Sequence, residues 1–157
     1  MSRCANRRNT GVSFFLAVIT LMTLTTSAAA QTPGVRGGIS VDPEQFFLGG
    51  HFETAPLIER LHFKPNLEVG FGDDVTHVGV NFEFVYKLPL DTGPWTLYAG
   101  GGPALNIYSF EGIDDSANEP GLNALFGAET ERGLFFEVKV GALDSPRLKF
   151  AVGWNFQ

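Results

Sequence analysis

Residues 133–156 read GLFFEVKVGALDSPRLKFAVGWNF, and their alternation decides the fold. Leu134, Phe136, Val138, Val140 and Ala142 share one parity; Phe135, Glu137, Lys139 and Gly141 share the other. After Asp144-Ser145-Pro146 the pattern resumes. Leu148, Phe150, Val152, Trp154 and Phe156 then alternate with Arg147, Lys149, Ala151, Gly153 and Asn155. Successive side chains of an extended strand point to opposite faces, so a period of two over this length predicts two strands, each with one apolar face. The Asp-Ser-Pro cluster makes the turn between them. Each strand spans about ten residues, long enough to cross a bilayer when tilted.

The same alternation runs back through the chain. Val35, Ile39 and Val41 alternate with Arg36, Gly38 and Ser40, and Phe46, Leu48 and Phe52 with Gly49, His51 and Glu53. Asp42-Pro43-Glu44-Gln45 between them reads as a loop with proline at the second position of a type I turn. That loop would set Val41 opposite Phe46, Ile39 opposite Leu48, Val35 opposite Phe52 and Arg36 opposite His51, keeping the apolar groups on one face. A third strand over 61–71 carries Leu61, Phe63, Leu67, Val69 and Phe71 on its apolar side, with Pro65 costing a ladder bond or marking a bulge. A fourth carries Val78, Val80, Phe82, Phe84 and Tyr86. A turn at Asp73-Asp74 pairs Val69 with Val78, Leu67 with Val80 and Phe63 with Phe84. It also sets Lys64 opposite Glu83, a favourable cross-strand charge pair on the polar face.

Trp95 opens a fifth strand, interrupted by Gly100-Gly101-Gly102-Pro103 and resumed by Leu105 and Ile107. Three glycines weaken a strand unless the backbone bends sharply there, as it does in a small barrel. A phosphate-cradling glycine loop would need a helix to start after it, and residues 104–110 do not read as one. Residues 109–121 are polar and read as an irregular connection. A sixth strand over 122–128 follows, with Leu125 breaking its alternation. With the closing hairpin this gives eight strands joined mostly by short loops. The expected fold is all-β, an antiparallel up-and-down meander closing into an eight-stranded barrel filled by side chains.

The first thirty residues stand apart. Arg3, Arg7 and Arg8 precede an apolar run over 12–24, and Ser27-Ala28-Ala29-Ala30 supplies small residues for a peptidase. This reads as a cleaved secretory signal over 1–30, leaving 31–157 as the barrel domain. The single cysteine, Cys4, leaves with the signal, so the domain is held by packing and hydrogen bonds without disulfides. Losing the three arginines takes the formal net charge from −6 to −9. No basic stripe remains, and nucleic acid is a poor candidate partner.

Alternation alone does not say which face looks inward. A soluble barrel would put the apolar parity inside, around a small apolar ligand; a membrane barrel puts it outside, against lipid. Three features favour the membrane. The polar parity mixes charges of both signs with glycines, which suits a narrow lumen. Phe52, Phe63, Tyr86, Trp95 and Phe156 gather at strand ends toward one rim, with Trp154 nearby, as an interfacial girdle would. The apolar parity is bulky throughout and would overfill so small an interior.

The segments TLYAGGGPALNIY and GLFFEVKVGALDSPRLKFAVGWNF resemble the glycine-rich fifth strand and closing hairpin of small bacterial outer-membrane β-barrel proteins, nearest to the opacity-protein-like, porin-like superfamily. The likeness covers the whole of 31–157 in pattern and these segments in detail. It implies a transmembrane eight-stranded barrel in the bacterial outer membrane, with its N-terminus on the periplasmic side and outer-membrane lipids as surroundings. It also implies recognition of a terminal aromatic by the barrel assembly machinery. This chain departs there, because Gln157 follows Phe156. The family carries no shared catalytic motif, so the resemblance transfers no active site.

The residues themselves point the same way. Ser40 would approach His51 across the first hairpin, and Asp73 and Asp74 lie beside His77 in sequence, but neither set has a third orienting group. His51, His62 and His77 lack metal-ligand spacing. No catalytic residue, cofactor or metal is therefore expected. Arg36, His51, Lys64, Glu68, Glu83, Lys139 and Lys149 are expected to form a structural charge network in the lumen, with Lys64 and Glu83 paired. Glu111, Asp114, Asp115 and Glu119 are expected to form an acidic surface loop. An eight-stranded monomer so filled is expected to play a structural or surface-interaction role and not to act as a general diffusion porin.

Overall fold

The computed structural model describes residues 31–72, 75–110 and 116–156. The expected signal, the turn at Asp73-Asp74, and Glu111, Asp114, Asp115 and Gln157 lie outside the described residues. The strands are β1 (Thr32–Val41), β2 (Glu44–Glu53), β3 (Leu61–Phe71), β4 (Val75–Lys87), β5 (Trp95–Phe110), β6 (Ser116–Thr130), β7 (Leu134–Leu143) and β8 (Leu148–Asn155). Each pairs antiparallel with its neighbour in sequence, and β1 pairs β8, closing the barrel. Closure leaves no strand edge with unpaired backbone groups, which suits a chain without a disulfide. The start of β1 and the end of β8 share one end of the barrel, the terminus end.

The apolar parity faces outward on every strand. Phe46, Leu48, Leu67, Phe82, Phe126, Phe136, Val140, Phe150 and Val152 are exposed, while their sequence neighbours Gln45, Phe47, Glu68, Glu83, Leu125, Phe135, Glu137, Lys139, Lys149 and Ala151 are buried. Exposed Phe52, Tyr86, Trp154 and Phe156 lie at the terminus end; Phe46 and Phe71 lie at the other. Phe63 and Phe84 pack with ring centroids 5.0 Å apart, and Trp95 and Phe136 at 6.1 Å.

The β3–β4 register is the expected one: Val69↔Val78, Leu67↔Val80, Phe63↔Phe84 and Lys64↔Glu83. The β1–β2 register is not. Val41 pairs Glu44, Ile39 pairs Phe46, and His51 faces Gly34 instead of Arg36. The loop is only Asp42-Pro43, so the pairing slips by two residues. A slip of two leaves every side chain on its own face, and the apolar pattern cannot detect it.

The polar connection is also shorter than expected. β6 begins at Ser116 and pairs β5 down to Ser109, so Glu119 lies in a strand opposite Asn106 rather than in a loop. Leu125 points inward, which is why it broke the alternation. Pro103 lacks an N–H, and the β4–β5 ladder is interrupted where Pro103 and Gly102 would meet Phe82 and Glu83. At Gly100 and Gly102 a Cβ would run into the carbonyls of Phe84 and Phe82. Gly100 and Gly102 let β4 and β5 approach this closely at the bend, and Gly101 does the same toward β6, where a Cβ would meet the Asn123 carbonyl.

Candidate functional site

The inner face is the one place among the described residues where polar chemistry concentrates. Inward parity on β1, β3, β4, β7 and β8 delivers Arg36, Lys64, Glu68, Glu83, Glu137, Lys139 and Lys149, all buried. Glycines beneath bulky inner residues make room for them. Gly34 lies under the His51 ring, Gly127 under Tyr98 and Gly153 under Phe135, and a Cβ at any of the three would strike the ring.

Two carboxylates anchor the centre. Glu68 receives Lys149 at 2.8 Å, Lys139 at 3.0 Å and Arg36 at 3.3 Å. Glu137 accepts from Arg36 at 2.9 Å and from the Tyr98 hydroxyl at 3.0 Å. The Lys139 ammonium also donates to both oxygens of Glu83, at 2.8 and 3.1 Å. An amide chain completes Glu83: Asn123 donates to Asn81 at 2.8 Å, Asn81 to Asn66 at 2.8 Å, and Asn66 to Glu83 at 2.7 Å. Buried charges persist only when paired and hydrogen-bonded, and each carboxylate here meets that condition.

The expected Lys64–Glu83 ion pair does not form. The two residues are register partners, but Lys139 occupies Glu83 from another strand. The Lys64 ammonium sits over the faces of Phe135 and Tyr98, at 4.5 and 4.7 Å, with Glu137 at 3.7 Å and Glu53 at 3.9 Å. In a desolvated setting such aromatic faces stabilise a cation by about 2 kcal/mol.

Toward the terminus end, Lys87 bridges Glu53 and Glu129 at 2.6 Å each, and Asn155 links Glu129 to His51. Toward the other end, His77 stacks on Tyr108 and hydrogen-bonds Asn106 at 2.9 Å, and Asn106 donates to Ser145. Ser40 lies opposite Gln45 and is not brought to His51, whose Nε2 meets Asn155 at 2.6 Å. Among the described residues no three His, Cys, Asp or Glu side chains converge as metal ligands.

Within this network Arg36, Lys64, Lys87, Lys139 and Lys149 balance Glu53, Glu68, Glu83, Glu129 and Glu137. The remaining charge lies outside it. Tyr98, Asn106, Asn123 and Glu129 join the network without having been expected there, because apolar parity alone defines β5 and β6 in the sequence. The opposite parity of the same two strands is the signal that locates them.

A closed antiparallel eight-stranded barrel, apolar outside and ion-paired inside, is the architecture of small outer-membrane barrels. Among solved structures the chain is similar to Neisserial surface protein A, known from a crystal structure. The match has a TM-score of 0.54 and 15% sequence identity, and covers 80% of this chain and 95% of that one. At that identity the likeness is one of fold. No family model and no curated protein matches the sequence.

Proposed function

We propose that the chain is an integral protein of the bacterial outer membrane, a monomer surrounded by outer-membrane lipids, with a structural or surface-interaction role. One observation carries this reading: the interior and exterior are inverted relative to a soluble protein. Lys64, Glu68 and Glu83 are 0% exposed, while Phe46 is 73% and Leu48 67% exposed. In water, such a belt of exposed phenylalanine, leucine and valine exceeds what a soluble monomer carries. In a bilayer it faces hydrocarbon and costs nothing. A strand of about ten residues rising about 3.3 Å each, tilted by about 45°, covers the roughly 25 Å apolar band of such barrels.

The role excludes general diffusion because the tube is filled. Tyr98, Lys64, Phe135, Lys139 and Glu137 all lie fully buried across it. The same charged filling argues against the soluble alternative, since a small apolar ligand needs an apolar lining. The one hydroxyl the network pairs with a carboxylate, Tyr98 on Glu137, is buried within the filled tube, and the reading assigns it a structural role. The barrel assembly machinery is the partner that a C-terminal strand ending near Phe156 fits. Detergent extraction followed by gel electrophoresis tests the reading. The unboiled barrel should migrate as a compact species and shift on boiling. Recovery in the aqueous periplasmic fraction, with no such shift, would contradict it.

A further inference from the structure

The terminus end is lopsided. The β6–β7 turn presents the charged pair Glu131 and Arg132 alone, whereas the β2–β3 connection presents Pro56, Leu57 and Ile58 ahead of a charged pair of its own, Glu59 and Arg60. Ile58 is 70% and Leu57 54% exposed. The β4–β5 connection adds Leu90, also exposed. These two connections join adjacent strand pairs, so they lie on the same side of the rim.

The apolar connection is ordered. Leu57 N–H donates to the Leu61 carbonyl at 2.7 Å, and Leu61 N–H to Ile58 at 2.9 Å. Lys87 N–H donates to Arg60 at 3.0 Å, tying the loop to the end of β4, and Leu88 N–H donates to Leu97 at 2.8 Å. A loop fixed in this way holds its apolar side chains out at little further entropic cost. Immediately above it, the outward aromatics Phe63, Phe84 and Tyr86 continue the apolar belt.

We propose that these two connections form a lipid-interface anchor. Leu57, Ile58 and Leu90 enter the glycerol and upper acyl region of the leaflet at the terminus end. The occupant is the lipid surface itself, because the patch is continuous with the apolar belt, and Glu59 beside Arg60 leaves the connection no net charge with which to select an ionic partner. The inference rests on the membrane reading above and extends it from the strands to one side of the rim. The anchor makes the protein's grip on that leaflet one-sided, deeper under β2–β5 than under β6–β7.

Residues 31–157 contain no cysteine, so single spin labels report cleanly. Ile58→Cys, Glu131→Cys and Leu67→Cys, the last in mid-belt, are labelled and reconstituted into vesicles of phosphatidylethanolamine and phosphatidylglycerol. Heat-shifted migration confirms that each is folded. Oxygen collision should exceed collision with a water-soluble nickel chelate at Leu67→Cys and at Ile58→Cys, with the ratio at least several-fold higher at Ile58→Cys than at Glu131→Cys. If Ile58→Cys reports water like Glu131→Cys while Leu67→Cys reports lipid, the anchor is overturned and the membrane barrel stands. If Leu67→Cys also reports water, both fall.

Discussion

Lys64 and Lys139 enter the same narrow tube, yet only one of them holds Glu83. Cross-strand adjacency predicts Lys64, since it sits directly opposite on β3. The lumen decides otherwise, because in a tube this narrow side chains from distant strands meet at its axis. Lys139 reaches Glu83 from β7 at 2.8 Å, and Lys64 turns to aromatic faces instead. Register could be read from sequence here; partner choice across the lumen could not. The consequence is measurable. Lys139→Met should destabilise the barrel by about 3–5 kcal/mol, because it strands Glu83 and weakens Glu68. In a double-mutant cycle with Glu83→Gln, the Lys139–Glu83 coupling should be about 1–3 kcal/mol and the Lys64–Glu83 coupling below about 0.5 kcal/mol. Urea unfolding in vesicles, followed by the fluorescence of Trp95 and Trp154, gives both values. A larger coupling for Lys64 would refute the assignment.

Among the elements, β5 carries the run of three glycines. Gly100 and Gly102 stand where β4 closes in, Gly101 where β6 does, and the β4–β5 ladder is interrupted at Pro103 beside them. A Cβ at Gly102 would meet backbone, which cannot swing aside as a side chain can. Gly102→Ala should therefore cost about 1–3 kcal/mol by overpacking. At Gly50 the nearest atom to an added Cβ is 3.7 Å away, so Gly50→Ala should stay within about 0.5 kcal/mol of the parent. Equal losses at the two sites, in the same unfolding assay, would remove the steric account. The need for a bend at 100–102 was legible from the sequence. The β1–β2 register was not, because a two-residue turn and a four-residue loop leave the same faces apolar. The start of β6 was hidden for a different reason: Asn118, Glu119 and Pro120 continue the ladder without the alternation that marks the apolar belt.

At the scale of the whole molecule, strand number was carried by period-two alternation, since each strand turns one apolar and one polar face, and the meander by the short connections. Which face looks inward was not carried by alternation; it was legible in the charges and glycines of the polar parity and in the bulk of the apolar one. The lumen's own charges balance, so the net −9 of residues 31–157 resides outside that network. Membrane residence requires greasy side chains turned toward hydrocarbon. Val85 and Leu125 are the internal controls, because they are 1% and 5% exposed while Val138, Val140 and Val152 on the outer parity are exposed. Methyl-labelled protein in acyl-chain micelles tests this directly by nuclear Overhauser contacts. Acyl protons should contact the methyls of Val138, Val140 and Val152 and leave Val85 and Leu125 silent. Acyl contacts at Val85 and Leu125, with water contacts at the three outer valines, would contradict it.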